Sequence, residues 1–76
     1  MKIQAGIIGF GYMGHFHLKK TREMDLVQVV AAYDINPEKL ADAQSEGLEA
    51  YEQLDAFLSR PDLSLVFVSV AFNIDF

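Results

Sequence analysis

The sequence contains no cysteine, only two prolines, and six basic side chains against eleven acidic ones. Without cysteine it offers no thiolate ligand for a metal, no thiol nucleophile and no disulfide, a composition that fits a reducing compartment. No apolar run approaches the roughly 20 residues that a membrane-spanning helix needs, and the first residues lack the pattern of a cleaved signal peptide. We therefore expect a soluble, cytoplasmic protein that has no membrane partner.

The length and the charge distribution narrow the class of protein further. A chain of 76 residues makes one small domain, whose core comes from packing alone or from a partner. Four of the six basic residues lie within the first 22 positions, and all eleven acidic residues follow them. Because a phosphate backbone demands a basic face, we expect no nucleic-acid partner for this acidic body.

The pattern of apolar residues predicts alternating strands and helices. Asn36 and Pro37 are a typical N-cap and first residue for the second helix, and Gly47 is typical of the position after its end. The order β-α-β-α-β-α-β predicts a parallel sheet with right-handed crossovers. Residues 1–76 would form a single, incomplete α/β domain, a partial Rossmann-like sheet in the strand order 3-2-1-4 with helices on both faces. We expect strands over 3–8, 26–33, 48–50 and 63–70, and helices over 12–23, over 37–46 and around the apolar positions Tyr51, Leu54, Phe57 and Leu58.

A glycine-rich turn joins the first predicted strand to the first predicted helix. Gly9-Phe10-Gly11-Tyr12-Met13-Gly14 has the spacing G-x-G-x-x-G, a pattern that gains weight when it follows a strand and opens a helix. Gly9 would make the tight turn, Gly11 would let a pyrophosphate approach the backbone, and Gly14 would let the helix pack closely on the strand. Free backbone amides in the turn would face the phosphates. All six residues of the turn are therefore candidate cofactor-binding residues.

An acidic residue at the end of the second strand meets a further condition for dinucleotide binding. Asp34 lies 20 residues beyond Gly14 and ends an apolar run, where a carboxylate accepts hydrogen bonds from the adenosine ribose hydroxyls. A carboxylate there also repels a 2′-phosphate, and neither Ile35 nor Asn36 offers a compensating arginine. The residues predict a dinucleotide site that favours NAD over NADP; the alternative is a structural turn followed by an unrelated aspartate.

Several side chains near the turn allow two interpretations. Phe10 and Tyr12 would either shield the cofactor or be exposed loop aromatics. Ser69, at the carboxyl end of the fourth strand, would be either a cofactor neighbour at the switch point of the sheet or a residue that fills the sheet. His17 faces the sheet, where we expect it to be packed or hydrogen-bonded, and it points away from His15, so we expect no metal site.

Together these residues resemble the N-terminal part of the Gfo/Idh/MocA family of NAD(P)-dependent oxidoreductases. The resemblance implies that the glycine turn and Asp34 bind the dinucleotide. It also implies that a hydride passes between the nicotinamide and a carbon bearing a hydroxyl, usually on a sugar or cyclitol. The resemblance covers residues 2 to about 70 and rests on Ile7-Ile8-Gly9-Phe10-Gly11-Tyr12-Met13-Gly14, His17, Tyr33-Asp34-Ile35-Asn36-Pro37-Glu38, Tyr51-Glu52-Gln53-Leu54 and Pro61-Asp62-Leu63-Ser64-Leu65-Val66-Phe67-Val68-Ser69.

The sequence departs from the family pattern after the fourth strand. Family members continue there with a proline or threonine-proline, an asparagine near the nicotinamide ribose and a histidine. This chain continues with residues 70–76, where we expect Asn73 to be a displaced remnant of that asparagine. The family's Glu-Lys-Pro segment, whose lysine helps proton transfer, and its substrate domain lie further on. The resemblance therefore implies the NAD(P)-binding portion of a sugar or polyol (inositol-type) dehydrogenase, with no catalytic residue and no activity of its own.

Two other classes of function remain open at this point. A non-enzymatic sensing module would bind NAD or another adenine nucleotide and change its assembly rather than drive a reaction. A methyltransferase-like domain would bind S-adenosylmethionine, also through a glycine turn and a second-strand acid, although the full G-x-G-x-x-G spacing favours a dinucleotide. Selective binding of NAD over S-adenosylmethionine separates the last class from the other two.

The fourth strand lies at an edge of the predicted sheet. Its apolar residues, Leu65–Val68, would line this open edge, and exposed apolar edges template pairing with another chain. We therefore expect homo-oligomers that form through this strand.

Overall fold

The computed structural model describes residues 2–69, so the expectation for Asn73 lies outside the described residues. Within these residues seven elements alternate, and their four strands form one parallel sheet in the order β3-β2-β1-β4. This arrangement confirms the predicted α/β fold and strand order. The elements are β1 (Ile3–Ile8), α1 (Tyr12–Arg22), β2 (Val27–Tyr33), α2 (Pro37–Ser45), β3 (Glu49–Tyr51), α3 (Leu54–Leu58) and β4 (Leu65–Val68).

The register of the sheet brings the carboxyl ends of three strands together. Ile8, the last residue of β1, pairs with Tyr33 at the end of β2 and with Val68 at the end of β4. Two backbone hydrogen bonds extend these ladders. The N–H of Gly9 donates to the carbonyl of Tyr33 at 2.8 Å, and the N–H of Ser69 donates to the carbonyl of Ile8 at 2.8 Å. The residues that follow the three strands therefore meet at one edge of the sheet.

The core lies between one face of the sheet and the helices α1 and α2. Its members are Ile7, Phe10, Leu18, Ala32, Ala43 and Leu48. On α1 the buried residues are Gly14, Leu18 and Thr21, at the spacing that places side chains on one face of a helix. These three residues form the inward face of α1, with Leu18 at its centre.

Helix α3 covers the opposite face of the sheet with one aromatic ring. Phe57 is fully buried and contacts the rings of Tyr33 and Tyr51, with centroid distances of 6.3 and 5.9 Å. It packs so closely on β1 that a Cβ atom added to Gly6 would lie 2.5 Å from the Cζ of Phe57. Helices therefore lie on both faces of the sheet, as expected.

The third helix is shorter and more exposed than its apolar spacing predicted. It spans five residues, and Leu54 and Leu58 remain 39% and 54% exposed. Tyr51, expected on the same helical face, belongs to β3 instead. Only Phe57 of this helix is buried, because its ring alone fills the space above Gly6.

The boundaries of α2 follow the predicted capping residues. The side chain of Asn36 accepts a hydrogen bond from the N–H of Glu38 at 2.8 Å, and Pro37 is the first helical residue. Gly47 follows the helix with a φ of +85°, the left-handed conformation that glycine adopts at helix ends. Asn36 and Pro37 therefore fix where α2 begins, directly after the loop that carries Asp34.

Among the described residues, no helix combines the length and the apolar character that crossing a bilayer would require.

Candidate functional site

A cleft of about 550 Å³ lies at the carboxyl edge of the sheet. It spans the ends of β2, β1 and β4, the place where ligands bind in open parallel sheets. Six of the predicted site residues line it, and Phe10 and Gly14 do not. The lining residues are Gly9, Gly11, Tyr12, Met13, Asp34, Ile35, Asn36, Lys39 and Ser69.

The three glycines of the turn differ in the space around them. Gly9 has a φ of +88°, which a residue with a side chain rarely adopts. A Cβ atom on Gly14 would overlap the carbonyl oxygen of Gly9, whereas a Cβ atom on Gly11 would meet no other atom within 4 Å. Gly14 thus permits close packing of α1 on the turn, and Gly11 leaves its side of the cleft open to a ligand.

The N-terminus of α1 offers free hydrogen-bond donors to the cleft. Gly11, the N-cap residue, has no side chain that could cap the helix, and the first turn holds no acidic residue. The first amides of a helix have no partner within the helix, and the helix dipole favours an anion there. Tyr12 and Met13, the first two helical residues, line the cleft. The turn is therefore suited to a phosphate group.

Asp34 joins the end of β2 to the glycine turn. Its Oδ2 atom accepts a hydrogen bond from the backbone N–H of Phe10 at 2.8 Å, and its Oδ1 atom accepts one from the N–H of Asn36 at 2.9 Å. Each carboxylate oxygen has two lone pairs, so one remains on each oxygen for a hydroxyl donor. The carboxylate is thus held in place by the backbone while it keeps the capacity to bind a diol.

The structure corrects the expectation for Phe10. Its side chain is fully buried in the core, with its ring centroid 4.2 Å from that of His15 and the two rings tilted by 41°, so it neither shields a ligand nor lies exposed in a loop. Its backbone N–H is also occupied by Asp34 and is not free for a phosphate. Tyr12, by contrast, is 84% exposed and lines the cleft. Phe10 is buried because its side chain packs between the sheet and the helices of the core.

Ser69 and His17 form a contact between β4 and α1. The Oγ atom of Ser69 and the Nδ1 atom of His17 share a hydrogen bond of 2.6 Å, and the imidazole stacks on Phe67 at 5.2 Å with an interplanar angle of 23°. His17 is therefore both packed and hydrogen-bonded, as expected. His15, two residues earlier, has different neighbours, with its Nε2 atom 3.9 Å from a carboxylate oxygen of Asp42.

Lys39 is a cleft residue that the sequence analysis missed. It lies in the first turn of α2 and lines the cleft together with Asp34 and Ile35. The position of Lys39 could have been predicted, because a helix that starts at residue 37 has residue 39 in its first turn, next to the loop after β2. Ile35 and Asn36 carry no charge, and Lys39 lies three positions further along the chain.

Comparison with known proteins agrees with this geometry. The family described as "Oxidoreductase family, NAD-binding Rossmann fold" (GFO_IDH_MocA) matches residues 3–73. Inositol 2-dehydrogenase of Pseudomonas savastanoi pv. phaseolicola is 35% identical over 72 residues, which is 90% of this chain and 21% of that protein. Inositol 2-dehydrogenase of Burkholderia ambifaria is 40% identical over 52 residues, 66% of this chain and 15% of that protein.

Solved structures show the same fold. An NAD-binding protein from Listeria innocua superposes with a TM-score of 0.86 at 31% identity, over 92% of this chain and 21% of that one. Myo-inositol dehydrogenase from Lactobacillus casei, in complex with NAD(H) and myo-inositol, superposes with a TM-score of 0.82 at 33% identity, over 95% of this chain and 22% of that one. The chain thus spans about a fifth of the length of these relatives. Because the family match extends over residues 3–73, the chain belongs to the Gfo/Idh/MocA oxidoreductase family and corresponds to its NAD-binding Rossmann portion.

Proposed function

We propose that this chain binds the adenosine half of NAD for an oxidoreductase that acts on a polyol of the inositol type. One observation carries the proposal: the fixed carboxylate of Asp34 and the uncapped N-terminus of α1 line the same cleft. The inositol dehydrogenases to which the chain is similar suggest the substrate class. When bound, NAD supplies the hydride-accepting chemistry, and the protein supplies binding and orientation.

Each part of the cleft suits one part of the dinucleotide. The lone pairs left on Asp34 would accept hydrogen bonds from the adenosine ribose hydroxyls. The amides of Tyr12 and Met13 would bind the pyrophosphate, which can approach the backbone because Gly11 has open space on that side. The residues present therefore fit the cofactor.

The described cleft residues are suited to binding rather than to substrate chemistry. The ionisable groups among them are Tyr12, Asp34 and Lys39, and Asp34 and Lys39 lie on the adenosine side. General acid–base catalysis needs a group within hydrogen-bond reach of the reacting proton. We therefore place no catalytic residue among residues 2–69 and expect that these residues alone do not turn over a polyol.

We also propose that the cleft prefers NAD to NADP. Asp34 would repel a 2′-phosphate on the ribose that it holds, because two like charges would lie within contact distance. Lys39 in the same cleft opposes this effect without removing it, since a flexible lysine at a half-exposed position is well solvated. The expected preference is therefore moderate.

We also propose that copies of the chain associate through β4 and that the protein works in the cytoplasm. Within residues 2–69, β4 pairs only with β1 and so forms one edge of the sheet. Val68 is 59% exposed and Leu65 is 39% exposed on this strand. An apolar edge of this kind favours pairing with a second strand, and the lack of cysteine fits a reducing compartment.

Calorimetric titration of the purified chain with NAD, NADP and S-adenosylmethionine tests the proposal. We expect NAD to bind most tightly, and the Asp34→Ala variant to bind it about tenfold or more weakly, because charged hydrogen bonds to the ribose are lost. Asp55→Ala is the matched control, since Asp55 is an exposed acid on α3. Preferential binding of S-adenosylmethionine, or no binding by a folded sample, would refute the proposed function.

A further inference from the structure

We propose that His17 is a positioning residue for the cofactor cleft. Its imidazole fixes the hydroxyl of Ser69 on the side of the glycine turn opposite to Asp34, where the nicotinamide half of a bound dinucleotide would pass. This inference rests on the proposed function and adds a contact to the same cleft.

The strand order determines which part of a ligand meets Ser69. Asp34, Gly9 and Ser69 follow β2, β1 and β4, which lie side by side in that order. Neighbouring strands are spaced by about 4.8 Å, so two strand spacings, roughly 10 Å, separate the backbones that carry Asp34 and Ser69. A ligand anchored at Asp34 that ends at the glycine turn stops short of Ser69. Only a ligand that continues past the turn, as a full dinucleotide does, reaches it.

Ser69 is held by both its main chain and its side chain. Its backbone N–H donates to the carbonyl of Ile8 at 2.8 Å, and its hydroxyl shares the 2.6 Å hydrogen bond with His17. The residue is only 8% exposed, yet it lines the cleft. The stacking of His17 on Phe67 in turn fixes the imidazole ring. The serine hydroxyl is therefore a rigid polar group in the cleft wall.

The hydrogen bond to His17 determines what Ser69 can offer a ligand. A serine hydroxyl has one donor and two acceptor positions, and a neutral imidazole offers one nitrogen as donor and the other as acceptor. When Nδ1 accepts, the hydroxyl proton points at His17 and the lone pairs are left for the ligand; when Nδ1 donates, the hydroxyl proton is left for the ligand. In both cases one orientation is selected, so a ligand does not have to immobilise a freely rotating hydroxyl.

Titration with ADP and with NAD separates this role from a structural one. ADP probes the adenosine side alone, and NAD probes both sides of the turn. We expect His17→Leu and Ser69→Ala each to weaken NAD binding by about three- to tenfold, the range for loss of one hydrogen bond, and to leave ADP binding unchanged. Because His17 acts through Ser69, the double variant should bind NAD no more weakly than Ser69→Ala. His17→Asn, whose amide can replace Nδ1 as a partner, should restore most of the affinity.

His15→Leu is the matched control, because His15 lies on the same helix and contacts Phe10 and Asp42 rather than Ser69. Should His17→Leu fail to fold, His17→Asn and Ser69→Ala still decide the question through the ratio of NAD to ADP affinity. Equal losses for NAD and ADP, or additive losses in the double variant, would overturn the positioning role. Wild-type protein that binds ADP and NAD equally tightly would overturn it while leaving the adenosine site intact, whereas binding of neither ligand would refute the proposed function itself.

Discussion

The carboxylate of Asp34 accepts the backbone N–H of Phe10 across 24 positions of sequence at 2.8 Å. This one hydrogen bond ties the end of β2 to the glycine turn after β1. The residue predicted to bind the ribose therefore also shapes the loop predicted to bind the phosphates. Loss of its side chain affects the two halves of the adenosine site together.

Replacement of Asp34 should therefore lower both stability and affinity. In Asp34→Ala the half-buried N–H of Phe10 loses its acceptor, and an unsatisfied donor of this kind costs about 1–3 kcal/mol. Asp34→Asn keeps one oxygen as an acceptor, so we expect a smaller loss of stability, together with a shift of the NAD to NADP affinity ratio toward NADP because the negative charge is gone. Urea unfolding and calorimetric titration of both variants check these outcomes. Unchanged stability in Asp34→Ala would show that the hydrogen bond to Phe10 contributes little.

Alanine at Gly11 should lower the affinity for NAD, whereas alanine at Gly14 should lower the stability of the fold. Gly11 has a φ of −91° and open space around its Cβ position, so Gly11→Ala should fold normally and lose affinity for NAD because the methyl group occupies the approach to the backbone. Gly14→Ala brings a methyl group onto the carbonyl oxygen of Gly9, and overpacking of this kind costs about 1–3 kcal/mol. Thermal unfolding and NAD titration of the two variants give the comparison. A Gly14→Ala protein as stable as the wild type would contradict the packing role.

Much of the fold follows from local patterns in the sequence. Strand and helix order come from apolar periodicity, and the end of α2 comes from the conformational freedom of Gly47, so neighbouring residues determine them. The same holds for Gly9 and Gly14, whose spacing between a strand and a helix predicts the turn and the close packing that the structure shows.

Other features depend on tertiary approach and could not be predicted in this way. Phe10 is buried because α1 and the sheet close over the turn, although it lies among loop glycines. Lys39 enters the cleft because α2 packs beside the loop after β2. The partner of His17 is 52 positions away, and no local pattern pairs two such residues.

Lys39 should reduce the discrimination against NADP. We expect Lys39→Gln to weaken NADP binding severalfold and to change NAD binding little, because only NADP carries a phosphate on the ribose near Asp34. The difference should shrink at high salt, which screens charges at exposed sites. Titrations at two ionic strengths measure this, with Lys19→Gln as the control, since Lys19 is an exposed lysine in the last turn of α1. Equal effects of Lys39→Gln on both cofactors would exclude a role in discrimination.

The ion pair between Arg60 and Asp62 should make stability depend on acid pH. The guanidinium of Arg60 donates to both carboxylate oxygens of Asp62, at 2.9 and 2.7 Å, and these hydrogen bonds lower the pKa of Asp62 in the folded protein. The stabilisation is present above the pKa of the unfolded chain, about 3.9 for an aspartate, and is lost as the pH falls through the lower folded value. Asp62→Asn should therefore lower the urea midpoint at pH 7, and its difference from the wild type should shrink as the pH falls below about 3.9.

Asp55→Asn is the control for that comparison, because Asp55 is an exposed acid near the same turn whose side chain makes no ion pair among the described residues. A difference between the wild type and Asp62→Asn that persists unchanged into acid would contradict the assignment to this pair.

A lysine on the edge strand should prevent the proposed association. Val68 is 59% exposed at the end of β4, and a charge on an edge strand disfavours pairing with a second strand. We expect the wild-type chain to form dimers or larger species at high concentration by light scattering, and Val68→Lys to be monomeric. Leu26→Lys places the same charge at a site that is 66% exposed but lies outside β4, so it should leave association unchanged. A monodisperse wild-type monomer, or equal dissociation by both variants, would show that β4 is not the interface.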